Sequence, residues 1–137
     1  YDKFITYFHG VFNKKDSSFK YVNAGHNPPT LVRADGSIEL LEEGGLLLGV
    51  LAGMPYESGT VTLNPGDVLA MFTDGVTEAM SPEGEEWGEE RLEPLLASIR
   101  TKTAEAILDD VHEAIKEFTH NAPILSDDLT MIVLKTT

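Results

Sequence analysis

At 137 residues the chain has room for a single hydrophobic core, and an apolar content of 42% argues against a disordered or low-complexity polymer. Ten Lys and Arg face 23 Asp and Glu, a formal charge of -13. That balance argues against binding a nucleic-acid backbone or an anionic membrane surface, because the counter-charge is missing.

No cysteine is present, so disulfides and thiolate metal sites are excluded. No apolar run reaches the roughly 18–20 residues of a membrane span. The chain opens on Tyr1-Asp2-Lys3-Phe4 without Met or a signal-peptide pattern. That opening is read as a piece of a longer, cytoplasmic protein.

In chain order, Phe4–Phe12 is aromatic and β-branched and predicts a strand. Asn13–Ser17 predicts a turn and Phe19–Asn23 a second strand, together a hairpin. Thr30–Arg33 and Ser37–Leu41 flank Ala34-Asp35-Gly36, whose Asp-Gly favours a tight hairpin. Gly44-Gly45 lacks the Lys and helix of a phosphate-binding loop and reads as a flexible connector. Gly59–Leu63 is a strand closed by Asn64-Pro65-Gly66-Asp67. Val68–Phe72 is almost wholly apolar, as expected of a strand buried on both faces.

The second half predicts helices over Trp87–Arg100 and Thr103–Thr119. In the latter, Ala104, Ile107, Leu108, Val111, Ile115 and Phe118 form an amphipathic stripe, with Thr103 as N-cap and Glu105 in the first turn. After Asn121-Ala122-Pro123, Leu129–Leu134 is a last strand. Strands, two helices, then one strand predict an α+β domain with helices laid on an antiparallel sheet.

Two aspartate sites carry candidate chemistry. In Phe72-Thr73-Asp74-Gly75 a buried strand runs into a carboxylate, with Gly letting the backbone turn away. In Ser126-Asp127-Asp128-Leu129 paired acids precede the last strand. Mg²⁺ and Mn²⁺ take hard oxygen ligands, often one or two carboxylates plus waters, so two such ends at one sheet edge make part of a metal site. From spacing alone, Asp-Gly after a strand is most often an ordinary turn, and Ser-Asp-Asp most often caps or solvates a loop.

These motifs come in an ordered series: Tyr21–Pro29 (YVNAGHNPP), Leu46–Val50 (LLLGV), Asn64–Ala79 (NPGDVLAMFTDGVTEA), Glu85–Leu92 (EEWGEERL) and Ser126–Leu134 (SDDLTMIVL). The series resembles the SpoIIE/RsbU-like branch of the PPM-type, Mn²⁺/Mg²⁺-dependent protein serine/threonine phosphatases. The resemblance runs through nearly the whole chain. It implies an antiparallel β-sandwich flanked by helices, with residues 1–137 forming the C-terminal portion of a single, N-terminally truncated phosphatase domain. It also implies that Asp74 and Asp127 are metal ligands and that Asp128 serves as a hydrogen-bonding residue at the start of the strand.

The family's earlier acidic motif and its Asp-Gly-His-type motif, whose aspartate bridges two metals, match nothing here. The resemblance therefore implies a fragment of an enzyme, inactive alone, whose parent hydrolyses phosphoserine or phosphothreonine by a water activated between two metals. The implied partner is a phosphorylated protein of the anti-sigma-factor-antagonist kind. A non-catalytic pseudophosphatase module that holds a regulator is the competing reading.

Several residues remain outside this scheme. His26, between Gly and Asn-Pro, reads as a loop-packing group before a proton donor. His9, His112 and His120 have no ligand spacing. Glu83, Glu85, Glu86, Glu89, Glu90 and Glu93 read as a solvated loop and helix start, with Trp87 as an anchor. Loss of the first strands would bare sheet edges, Phe4–Phe12 foremost, and a homodimer covering them is expected.

Overall fold

The computed structural model describes residues 3–122 and 128–137. Among these residues, eight strands and three helices form two sheets with helices over one of them. In the first sheet β1 (Tyr7–Asn13) pairs antiparallel with β2 (Ser18–Ala24). The far edge of β2 is shared: its first half pairs antiparallel with β6 (Gly59–Thr62), its end pairs parallel with β5 (Gly44–Gly45). In the second sheet β3 (Thr30–Val32), β4 (Ile38–Leu40), β7 (Val68–Phe72) and β8 (Met131–Lys135) run antiparallel in the order β4-β3-β7-β8.

Strand alternation sorts the core into two layers. Leu69 and Met71 of β7 join Leu31, Leu134, Phe19 and Tyr21 between the sheets. Val68, Ala70 and Phe72 face the other way, onto α2 (Glu89–Ile99) and α3 (Ala104–Phe118). The β7 run is apolar throughout because both its faces are covered. Trp87 is buried in the helix-side layer, the anchor its sequence position predicts. In α3 the stripe Ile107, Val111, Ile115 is buried, and Thr103 Oγ1 caps the helix by accepting from Ala106 N.

Some expectations are corrected. The first strand begins at Tyr7, not Phe4; Ile5 instead exchanges two backbone bonds with Leu48. Gly44-Gly45 is no loose connector but the short strand β5. A Cβ on Gly44 would lie 1.6 Å from Asn23 O, so only glycine can pair there. Asp74-Gly75 is not a turn out of β7 but the start of a one-turn helix, α1 (Asp74–Thr77). The helices flank one face of the sandwich; among the described residues the outer face of the first sheet exposes Tyr7, Val11, Leu48 and Tyr56.

A buried ion pair fixes the turn that feeds β7. Asp67 is 2% exposed and accepts from Arg33 Nη1 (2.9 Å), Ala34 N (3.0 Å) and Asn64 N (2.9 Å). Burial pulls the Arg33 guanidinium down, but its bonds to Asp67 and Glu39 outweigh this and hold it above its usual value. Asp67→Ala would leave these three donors without their acceptor. We expect a loss of about 3 kcal/mol in chemical denaturation; a loss under about 1 kcal/mol would show that water replaces the carboxylate.

Candidate metal centre

Strand register gathers the sequence motifs at one end of the molecule. In the second sheet Thr30 lies opposite Ala70 and Phe72 opposite Met131, so the start of β3, the end of β7 and the start of β8 coincide. In the first sheet Tyr7 lies opposite Ala24 and Asn23 opposite Gly44, so the start of β1, the end of β2 and β5 coincide. His26 spans the two sheets at this end: with Met71, Phe72, Thr73, Thr130 and Ile132 it walls a recess of about 90 Å³.

Asp74 is exposed at the first residue of α1, and its neighbours explain how it is held. Thr73 N donates to Thr130 O (3.0 Å), Thr73 Oγ1 donates to Asp128 O (3.0 Å), and Thr130 N donates to Thr73 Oγ1 (3.1 Å). This one hydroxyl ties the end of β7 to the chain entering β8. Gly75 completes the contact, because a Cβ there would lie 2.6 Å from Asp128 O. The glycine is therefore required by close approach of two backbones rather than by a turn.

Asp127 lies outside the described residues, as do Pro123 to Ser126. Asp128 accepts from Thr73 Oγ1 through its backbone carbonyl, a contact that does not depend on its side chain. Among the described residues no group of three Asp, Glu or His side chains gathers into a ligand cluster. What is present is of the right kind: a solvent-facing carboxylate on Asp74 beside the backbone of Asp128, all hard oxygen donors.

The surrounding residues sort out accordingly. The acidic segment is held by Arg91, which donates to the Glu86 and Trp87 carbonyls and to Glu85 and Glu90, and stacks over Phe118 at 4.8 Å. Asn23 and Thr73 are functional supports that sequence reasoning passed over. Asn23 is buried; its Oδ1 accepts from His26 N (2.7 Å) and its Nδ2 donates to His26 O (2.9 Å), fixing the following turn. An Asn three residues before a His, with a glycine between, is the readable signal of such a side-chain-closed turn.

Two stacked sheets, helices over the second and a carboxylate at the end of its central buried strand define the class as the PP2C phosphatase fold. The structure matches the SiaA-PP2C domain of Pseudomonas aeruginosa with a TM-score of 0.80 at 17% identity, covering 99% of this chain and 53% of that one. The chain belongs to the SpoIIE family: the model of stage II sporulation protein E matches residues 1–137. It is 33% identical to Protein IcfG of Synechocystis sp. (strain ATCC 27184 / PCC 6803 / Kazusa) over 132 residues, 96% of this chain and 20% of that protein. It is 30% identical to the phosphoserine phosphatase RsbU of Bacillus subtilis (strain 168) over 135 residues, 96% of this chain and 39% of that protein. The chain thus spans well under two thirds of these relatives' length.

Gly75→Ala isolates the backbone contact. The added methyl must displace Asp128, at an expected cost of about 1–3 kcal/mol in thermal or chemical unfolding. Unchanged stability would mean the Asp128 segment gives way freely.

Proposed function

We propose that residues 1–137 are the C-terminal portion of a Mn²⁺- or Mg²⁺-dependent protein serine/threonine phosphatase domain. Its substrate class is phosphoserine or phosphothreonine on a regulatory partner protein, of the anti-sigma-factor-antagonist kind in the RsbU-like setting, in the cytoplasm. In this reading Asp74 and Asp127 are metal ligands. The observation that carries it is the apposition of the Asp74 turn and Asp128 across the Thr73 hydroxyl and the Gly75 backbone. That contact joins the two acidic motifs of a SpoIIE-family chain.

Bound there, the metals supply an activated water and positive charge against the phosphoryl oxygens. The chain's own part is to hold oxygen ligands rigidly. Asp74 follows a strand buried on both faces, so its backbone moves little as charge accumulates. Thr73 locks the two ligand-bearing segments in register, so one cannot shift without the other. Among the described residues no helix is long and apolar enough to cross a membrane.

In the full-length protein, Asp74→Ala is expected to lower Mn²⁺-dependent release of phosphate from a phosphoserine protein about 100-fold or more. Turnover within threefold of wild type would remove Asp74 from the metal set.

A second copy of the chain is proposed to cover the outer face of the first sheet. Tyr7 and Tyr56 are exposed there beside Val22 and Leu48, around an apolar groove of about 330 Å³, and such patches are uncommon on monomers. For residues 1–137 at micromolar concentration, light scattering should give a dimer mass. A monomer that takes up no hydrophobic dye would refute the second copy.

A further inference from the structure

We propose that His26 is a substrate-binding residue of this site, donating a hydrogen bond from Nε2 to the phosphoryl group of the phosphoprotein; this rests on the metallophosphatase reading above. A packing histidine would be buried with both nitrogens engaged. Instead the His26 ring is half-buried, in the recess walled by Thr73 and Thr130, one residue along the chain from Asp74. Its Nδ1 meets Thr6 Oγ1 at 3.3 Å, while Nε2 has no partner among the described residues. In the tautomer in which the Thr6 hydroxyl donates to Nδ1, the ring proton sits on Nε2, the donor a phosphoryl oxygen needs.

The backbone of His26 is also preorganised. Asn23 grips both the N–H and the C=O of His26 from below, and its Nδ2 reaches Leu41 O as well (3.4 Å). Such a frame fixes the backbone that carries the imidazole, so less of the turn has to be ordered on binding. Nothing about a loop filler requires a buried amide clasping it on both sides.

The other basic side chains strengthen the assignment. Arginine is the usual fork for phosphate, but all three here are engaged elsewhere. Arg33 holds Asp67 and Glu39, Arg91 holds the acidic segment, and Arg100 donates to the Ala34 and Ala97 carbonyls. Lys102 pairs with Asp110, Lys116 with Glu113, and Lys135 donates to backbone carbonyls. Lys14 and Lys15 lie in the β1–β2 turn, at the end of the first sheet away from Asp74. Lys20 projects from β2, and Lys3 is an exposed cation just before the start of β1. A phosphate arriving at the Asp74 end thus meets few donors from this chain, and among the basic side chains His26 is the one in the recess.

The test uses the full-length protein loaded with Mn²⁺ and a phosphoserine protein, with inorganic phosphate as competing probe. His26→Ala is expected to lower kcat/KM by roughly 10²-fold, the order seen when one preorganised donor is removed. It should weaken inhibition by inorganic phosphate while leaving the Mn²⁺ concentration for half-activation and the thermal midpoint as in wild type. His26→Gln, which carries an N–H at about the reach of Nε2, should restore part of the loss. His26→Leu, which fills the recess without a donor, replaces the alanine variant if that one fails to fold. Unchanged kcat/KM in His26→Ala overturns the role of His26 alone. A loss that tracks the thermal midpoint or the Mn²⁺ requirement, with no rescue by glutamine, overturns it in favour of packing. A wild-type protein without Mn²⁺-dependent turnover overturns the metallophosphatase reading, and His26 with it.

Discussion

The functional end depends on one strand being unable to move. β7 is paired on both edges and buried on both faces, feeding Leu69 and Met71 to one core layer and Val68, Ala70 and Phe72 to the other. Any shift along its axis would break both layers at once, because the interior is close-packed and a slip of one residue exchanges the two faces. Its two ends inherit that rigidity differently. At the start, Asp67 clamps the turn through Arg33 and two backbone amides. At the finish, Thr73 takes over with a hydroxyl that both donates and accepts across to the segment before β8. A carboxylate placed at Asp74 is therefore anchored in a frame far stiffer than a surface loop.

This arrangement explains which parts were legible in the sequence. The apolar run of β7, the Pro-Gly turn before it and the stripe of α3 are local signals, each reporting its own burial, and each was read correctly. What escaped depends on backbones that meet across long sequence separations. Gly44 pairs with β2 because no Cβ fits against Asn23, and Gly75 starts a helix against Asp128. In sequence, either glycine looks like a hinge or a turn. A close approach leaves no periodicity behind, only a missing side chain, so the two cases are told apart in three dimensions.

The site divides along the same line. Asp74 stood out because an acid directly after a buried strand is chemically conspicuous, and the ordered motifs tied it to a phosphatase family. Asn23 and Thr73 did not stand out, since an amide or a hydroxyl near a strand end is common and its worth lies in its partners. Both act through backbone groups: Asn23 closes the turn that carries His26, Thr73 joins two strand ends. The role of Thr73 cannot be seen without the register that brings the ends of β7 and β8 together.

Net charge bears on how such a site meets its substrate. At -13 the chain repels a phosphoprotein, and its three arginines, all engaged in structural contacts, leave no free fork to offset this. Under the proposed metallophosphatase reading, attraction of this chain to phosphate would come from bound cations, whose charge would be concentrated where the carboxylates hold them. Salt screens exposed charges of either sign beyond about 10 Å at 0.1 M, so the repulsion and the cations' attraction would both act only at close range. Under that reading, an acidic frame of this kind would favour a phosphorylated ligand once its metal is in place and would disfavour one before. Metal loading and substrate recognition would in this way be coupled by electrostatics, with no change of fold required.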